Sequence, residues 1–187
     1  MSEKVKIVGL CGSLREGSHA RMALLVALRA AKSAGAEVAL FDPRETPLPF
    51  CEGKSTPELD ANAAEWRRLA SWADGFLFVT PEYHGSFSGV IKNALDLVGF
   101  EQLEGKICGL VSVLGGGANN NALNHLRTVL RWVHAWVLPH QAAIGSAYDA
   151  FDSEGNIKDA KLHARVERVG ADVAKFARIL RCEAEKD

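Results

Sequence analysis

Short apolar runs alternate along the chain with longer segments whose apolar residues recur every three or four positions. The short runs are mostly continuous in apolar residues, which is typical of strands covered on both faces of a parallel sheet. They predict strands at residues 5–11, 38–41, 76–79, 107–113 and 137–144. The periodic segments predict helices at residues 18–34, 56–73, 88–98, 120–136 and 157–181.

Residues at the predicted helix ends support this assignment. Gly35 provides a stop after the first helix. Thr56, Pro57 and Glu58 provide an N-cap, a proline at the first helical position and an early acid for the second helix. Strands and helices alternate throughout, and no repeat, low-complexity tract or linker divides the chain. We therefore predict one α/β domain over residues 1–187, a three-layer sandwich around a parallel sheet.

Composition excludes several classes of protein. Hydrophobic residues make up 48% of the 187 residues and charged residues 24%, with a net charge of −1. We therefore expect neither nucleic acid nor an anionic membrane as a partner, and no apolar stretch reaches membrane-spanning length. The four cysteines form no C-x-x-C pair, the six histidines lack metal-ligand spacing, and Cys11 and Cys108 lie in apolar runs. These features fit inert thiols in a reducing cytoplasm and predict no metal site.

The loop after the first strand combines glycine and hydroxyl residues directly before a helix. Gly12, Ser13, Arg15, Gly17 and Ser18 would place hydroxyls, a cation and free amides around an anion. The loop lacks the second glycine of the G-x-G-x-x-G dinucleotide pattern and the lysine of a Walker loop. A monophosphate is therefore the predicted ligand. The alternative is an ordinary turn in which Ser18 caps the helix.

Two further loops follow the third and fourth strands, and in a parallel sheet they end at the same edge. The first of them has the sequence TPEYHGSFSGVIKNALD, residues 80–96, and the second has SVLGGG, residues 112–117. Together they offer an aromatic wall and backbone donors, which suit a planar heteroaromatic ring.

With these three loops the chain resembles the NADPH-dependent FMN reductase family, which includes bacterial flavodoxin-like quinone, azo and chromate reductases. The resemblance rests on G-S-L-R-x-G-S near the start and P-E-Y-x-x-S-x-x-G-x-x-K-N-A-x-D in the middle. It implies a flavodoxin-like sandwich with five parallel strands in the order 2-1-3-4-5. It also implies FMN as cofactor and NADPH or NADH as reductant.

The resemblance implies a set of FMN-binding residues. The phosphate ligands would be Ser13, Arg15 and Ser18, with the neighbouring backbone of Leu14, Gly17, His19 and Ala20. The isoalloxazine ring and ribityl chain would lie along Pro81, Glu82, Tyr83 and His84. The pyrimidine edge would face Ser112, Val113, Leu114, Gly115 and Gly116. The third and fourth predicted helices would form a homodimer or homotetramer.

Four positions depart from the family pattern. His19-Ala20 replaces x-Asn after the phosphate serine, and His84 stands where asparagine is usual. Ser88 replaces a common proline, although serine can cap the third helix instead. Asn121 lies about where an arginine often follows the glycine loop.

The expected activity is a ping-pong oxidoreductase cycle. NAD(P)H reduces the flavin at N5, the nicotinamide leaves, and a small acceptor then binds where the nicotinamide was. Amides of residues 114–116 would offset charge on the reduced ring. Acceptors include quinones, flavins, azo and nitro compounds and chromate. A flavodoxin-type electron carrier and a module for another phosphate ligand are the alternatives.

Several side chains leave two interpretations open. His84 is either a proton donor to an acceptor or an exposed substitute for asparagine, and no other catalytic side chain is predicted. Glu82 is more simply a structural hydrogen-bonding residue than a base. Trp132 and Trp136, four apart in the fourth predicted helix, would share a face that packs in the core or at a dimer seam.

Overall fold

The computed structural model describes residues 3–53, 60–118 and 120–184. Its strands are β1 (Lys6–Cys11), β2 (Glu37–Phe41), β3 (Gly75–Tyr83), β4 (Ser86–Phe87), β5 (Ile107–Val113) and β6 (Trp136–Ile144). Its helices are α1 (His19–Ser33), α2 (Ala61–Trp72), α3 (Gly89–Asp96), α4 (Phe100–Leu103), α5 (Asn121–Trp132), α6 (Ala147–Ala150) and α7 (Ala160–Ala184).

The sheet has the predicted strand order. Its parallel strands lie in the order β2-β1-β3-β5-β6, which is 2-1-3-4-5 when the parallel strands alone are numbered. The flavodoxin-like arrangement is therefore confirmed. The short β4 pairs antiparallel with the end of β3; it was not predicted, because two residues carry no periodic signal.

Both faces of the sheet are covered, which explains why the strands are continuous apolar runs. Ile7 of β1 packs in a core with Leu24 of α1 and Val169 of α7. Its neighbour Val8 points to the opposite core, which contains Trp66 of α2 together with side chains of α3 and α5. Successive strand residues thus enter different cores, and the result is a three-layer sandwich.

The fourth predicted helix ends earlier than its pattern indicated. It corresponds to α5, which stops at Trp132, and Trp136 begins β6 instead. His134 adopts φ 58° just beyond the helix. The amide of Ala135 donates to the carbonyl of Leu130, and that of His134 to the carbonyl of Arg131. This is a Schellman ending with histidine in the position that glycine usually holds, so no glycine marked the stop.

Two other predicted boundaries also differ. The third strand continues to Tyr83, so Pro81 and Glu82 belong to β3 and not to a loop. The predicted start of the second helix at Thr56–Glu58 lies outside the described residues. Within them, α2 is capped by Asp60, whose side chain accepts a hydrogen bond from the amide of Asn62 at 2.8 Å.

Candidate functional site

A small cavity lies at the carboxyl edge of the sheet, where the three predicted loops meet. It has a volume of about 90 Å³ and is partly open to solvent. It is lined by Ser13, Arg15, Gly17, Ser18, His19, Ala20, Pro81, Glu82, Tyr83, Val113, Gly115, Ala147 and Tyr148. A phosphate group fits this volume. The cleft opens to solvent beyond this volume.

Most predicted site residues line this cavity, and a few do not. The predicted residues outside its lining are Leu14, His84, Ser112, Leu114 and Gly116. Leu14 is exposed and borders a separate apolar groove with Leu48 and Phe50. Ser112 is buried inside β5. The structure thus brings the phosphate-loop residues together and leaves part of the predicted ring contacts aside.

The first loop directs hydrogen-bond donors into the cavity. The Ser18 hydroxyl accepts the amide of Arg21 at 3.3 Å and so caps α1. A serine hydroxyl that accepts one bond still has its own hydrogen to donate. The amides of His19 and Ala20 open the helix, where no intrahelical carbonyl can accept them. Helix capping and anion binding are therefore compatible at this loop, and the helix dipole favours the anion.

The charges around the cavity are arranged in favour of an anion. Arg21 forms an ion pair with the buried Asp42 at 2.8 Å, so both charges are satisfied behind the loop. Arg15 lines the cavity and brings a positive charge to it. Glu82 also lines the cavity, and its Oε2 accepts the amide of Ala122 at 3.3 Å near the start of α5. This contact supports the structural interpretation of Glu82.

The conformation of His84 favours the asparagine that the family pattern usually has at this position. His84 and Gly85 connect β3 to β4 as a two-residue turn, with φ angles of 51° and 76°. A turn with two positive φ angles favours Asn-Gly, since asparagine tolerates this region better than most residues. The positive φ angle therefore explains why asparagine is usual at this position. The His84 side chain is exposed and does not line the cavity. This favours the interpretation that His84 is an exposed substitute for asparagine and not a proton donor.

Ser88 performs the capping role predicted for it and also fixes the first loop. Its hydroxyl accepts the amide of Ile91 at 3.3 Å and donates to the carbonyl of Gly12 at 2.6 Å. Gly12 lies so close to α3 that an added Cβ would approach Ile91 Cγ1 to 2.7 Å. The phosphate loop is therefore held against the start of α3.

The glycine loop after β5 differs from the prediction at Leu114. The Leu114 amide donates to the carbonyl of Ile144 at 2.8 Å, so it extends the pairing of β5 with β6 and does not point at a ring. Gly115 lines the cavity. The carbonyl of Gly116 accepts the amide of Ser146 at 2.6 Å. The predicted amide donors are thereby reduced to Gly115 and Gly116.

Sequence reasoning missed Ala147 and Tyr148, which follow the last strand. Tyr148 Oη accepts a hydrogen bond from Arg15 Nη1 at 3.3 Å, across 133 positions of the sequence. The rule that directed attention to the loops after the first, third and fourth strands applies equally to the last strand, because its carboxyl end lies at the same edge. No recognisable motif marked this turn.

Cys11 and Cys108 are buried and inert, as expected from their apolar surroundings, whereas Cys51 and Cys182 are exposed. Burial raises the pKa of the Cys11 thiol to about 11 and also raises the pKa of the fully buried Cys108, so both stay protonated at neutral pH. Among the described residues, no helix has the length and apolar character to cross a membrane. The same residues contain no group of three His, Cys, Asp or Glu side chains that could hold a metal ion.

Comparisons with known proteins agree on the class of protein and then on the family. FerB, a flavoenzyme NAD(P)H:(acceptor) oxidoreductase from Paracoccus denitrificans, superimposes with a TM-score of 0.77 at 19% identity, over 93% of this chain and 97% of that one. A flavodoxin from the domain Archaea superimposes with a TM-score of 0.62 at 12% identity, over 92% and 98%. Both show the flavodoxin-like fold.

The chain belongs to the NADPH-dependent FMN reductase family, whose model matches residues 5–149. It is 32% identical to the NADPH-dependent FMN reductase ArsH of Rhizobium meliloti (strain 1021), over 98% of this chain and 77% of that protein. It is 30% identical to the FMN-dependent NADPH-azoreductase of Staphylococcus aureus (strain USA300), over 84% and 88%. Membership makes the chain an NAD(P)H-dependent oxidoreductase with FMN as its cofactor.

Proposed function

We propose that the first-loop cavity holds the phosphate of FMN and that the protein passes reducing equivalents from NAD(P)H to small acceptors in a ping-pong cycle. One observation supports this above all: a phosphate-sized cavity lies at the start of α1, with hydroxyls, amides and Arg15 around it. Quinones, flavins, azo and nitro compounds and chromate are the proposed acceptors.

The donor set suits a phosphate monoester. Ser13 and Ser18 are buried hydroxyl residues of the lining, and the start of α1 adds two amides. Gly17, with φ 61°, makes the turn into the helix without a side chain over the cavity. These groups match an anion with several acceptor oxygens.

The ring would leave the cavity along the Pro81–Tyr83 segment and Gly115, which line its other side. FMN held there would supply a ring that takes hydride from nicotinamide and reduces a second substrate. Pro81 and Tyr83 would support one side of the ring, and the amides of Gly115 and Gly116 would stabilise negative charge at its polar edge. In the proposed ping-pong cycle, donor and acceptor would use the same open side of the ring in turn.

Ser18 offers a direct test of the phosphate site. Aspartate caps helices as well as serine does, so Ser18→Asp should leave the helix intact while placing a negative charge beside the phosphate. We expect FMN affinity to fall roughly 100-fold or more. Ser18→Asn, a neutral cap, is the matched control and should retain most of the affinity. Equal FMN affinity in both variants would contradict the proposed phosphate position.

Anaerobic mixing with NADPH distinguishes an enzyme from an electron carrier. The FMN-loaded protein should lose its flavin absorbance within about a second, in keeping with turnover numbers of 1–1,000 per second. Addition of a quinone should then restore the absorbance. Bleaching that takes many minutes would favour the flavodoxin-type carrier.

We further propose that a second copy of the chain covers the groove between α3 and α5. Trp132 at the end of α5 is 72% exposed, and nearby Trp136 is 63% exposed. Trp132 lines this groove with Val129 and Val133, and such an exposed indole beside apolar side chains is typical of a protein–protein contact. Trp132→Asp should shift sedimentation towards a smaller species, whereas Phe176→Asp, on α7 across the sheet, should not. An unchanged profile for Trp132→Asp would contradict this interface.

A further inference from the structure

The turn after β6 brings one tyrosine against three separate parts of the candidate site. Tyr148 Oη lies 3.3 Å from Arg15 Nη1 in the first loop. Its ring meets the ring of His19 edge-on, with 5.5 Å between centroids. A Cβ added to Gly115 would lie 3.5 Å from Tyr148 Cε2. Tyr148 therefore bridges the phosphate loop, the first turn of α1 and the glycine loop.

The direction of the Arg15–Tyr148 hydrogen bond leaves the tyrosine with a free donor. A guanidinium group has five N–H donors and no acceptor, so Arg15 must donate and the Tyr148 oxygen must accept. The hydroxyl hydrogen takes no part in this contact. Because Tyr148 lines the cavity, that hydrogen can be donated to a group inside it. A neighbouring cation makes the hydroxyl a stronger donor.

The backbone of the turn is held against the glycine loop, and the Tyr148 side chain that it carries is 67% exposed. The Ser146 amide donates to the Gly116 carbonyl at 2.6 Å, and the Ala147 amide donates to the Leu114 carbonyl at 3.1 Å. Ser146 adopts φ 47°, a conformation that costs a non-glycine residue energy and persists where surrounding contacts require it. Gly145 packs against Ala118 so closely that an added Cβ would lie 2.3 Å from the Ala118 nitrogen. The turn and the glycine loop form one rigid unit.

The His19 ring braces the tyrosine from the other side without adding charge. It stacks on Phe151 with 5.0 Å between centroids and an angle of 14°. Burial, followed by the positive charge of Arg15, lowers the pKa of His19 from its usual value, so the imidazole is neutral at neutral pH. Anion recognition on this side of the cavity therefore depends on Arg15 and Tyr148.

We propose that Tyr148 binds the phosphate of FMN. Its hydroxyl hydrogen would be donated to a phosphate oxygen, while Arg15 donates a hydrogen bond to the Tyr148 hydroxyl oxygen. This inference rests on the proposed FMN site and adds a residue to it. Its consequence is specificity: the Tyr148 hydroxyl helps the protein to prefer FMN over riboflavin, which has the same ring and ribityl chain without the phosphate.

Tyr148→Phe separates the hydroxyl from the ring, and the pair FMN and riboflavin separates the phosphate from the rest of the flavin. We expect FMN to bind the variant roughly tenfold more weakly, the usual loss for a hydrogen bond to a charged group. Riboflavin affinity should stay within about twofold, since the ring contacts remain. Quenching of flavin fluorescence measures both constants, and thermal unfolding checks that the variant is folded. Equal losses for both flavins, or no loss for either, would overturn the proposal.

A second variant tests whether Arg15 and Tyr148 act together. If Arg15→Gln and Tyr148→Phe each weaken FMN binding, the double variant should lose clearly less than the product of the two single losses, because one contact has been removed twice. Fully multiplicative losses would contradict the shared contact.

Binding of the FMN phosphate and binding of the NADPH phosphate predict different results for Tyr148→Phe. If the Tyr148 hydroxyl served the phosphate of NADPH instead, Tyr148→Phe would raise the KM for NADPH and not that for NADH, with FMN affinity unchanged, and the proposal would be wrong. A native protein that binds no flavin would contradict the proposed function as well. A native protein that prefers FMN, with a Tyr148→Phe variant that keeps the full preference, would contradict this inference alone.

Discussion

Two turns face each other across the candidate phosphate cavity, and they are built differently. The first loop, residues 12–18, uses the start of α1: its amides and the Ser18 cap are donors by position. The turn after β6, residues 145–148, has no long helix behind it and brings a tyrosine side chain on a strained backbone. One side of the cavity is thus formed by secondary structure and the other by tertiary packing.

The packing behind each turn also differs. Gly12 of the first loop approaches side-chain atoms of Ile91 in α3 and of its cap Ser88. Gly145 of the final turn approaches the backbone of Ala118, just after the glycine loop, so that relief requires a shift of the main chain. We infer that the first loop tolerates change better than the final turn. Single substitutions test this difference.

The largest effect is expected at Gly145. Gly145→Ala places a Cβ 2.3 Å from the Ala118 nitrogen, so the two loops must separate. We expect the free energy of unfolding to fall by about 3 kcal/mol, the upper range for overpacking. Gly117→Ala, where nothing lies within 4 Å, is the control and should change it by less than about 0.5 kcal/mol. Chemical denaturation measures both, and a similar result for the two variants would show that the turn is not rigid.

A smaller effect is expected at Gly12. A Cβ here meets Ile91 Cγ1 at 2.7 Å and Ser88 Oγ at 2.9 Å, so the clash is with side chains and not with backbone. We expect Gly12→Ala to cost about 1–2 kcal/mol in unfolding free energy. A loss larger than that of Gly145→Ala, measured in the same denaturation experiment, would reverse the comparison between the turns.

A third turn at this edge should be improved by substitution. His84 has φ 51° in the β3–β4 turn, where asparagine is favoured. We expect His84→Asn to raise the unfolding free energy by about 0.5 kcal/mol. Flavin affinity should be unchanged, because the His84 side chain does not line the cavity. A drop in quinone reduction without a change in stability would instead show that His84 takes part in the reaction.

The smallest expected effect concerns the contact between the two turns through His19. Its pKa is lowered in the folded protein by burial and by Arg15, so the unfolded chain takes up its proton first, near pH 6.5. Stability should therefore decrease as pH falls from about 6.5 towards the lower folded pKa. His19→Phe keeps a ring on Phe151 and should flatten this part of the stability profile. An identical pH profile in the variant would show that His19 does not contribute.

The features of the fold that a local sequence pattern marks could be predicted, and those without such a pattern could not. The strands and their order followed from apolar runs and family motifs, and Ser88 was identified as a helix cap. The predicted end of α5 was wrong because His134 adopts a positive φ angle, a conformation that glycine usually marks in a sequence. Trp136 was consequently placed on a helix, although it begins β6.

The candidate site was likewise predicted in part. Hydroxyls and glycines before a helix have a local physical meaning, so Ser13, Ser18 and Gly17 could be recognised. Leu114 was assigned a free amide that strand pairing with β6 already uses. Tyr148 meets Arg15 through a contact between distant segments, and no local pattern reveals such a contact.

The central claim is that the first loop holds a flavin phosphate, and the most direct test is titration of the native, flavin-free protein with FMN and with riboflavin by calorimetry. Several charge-assisted hydrogen bonds to the phosphate predict that FMN binds at least about 100-fold more tightly than riboflavin. Inorganic phosphate should compete with FMN and not with riboflavin. Equal affinity for the two flavins would contradict the account.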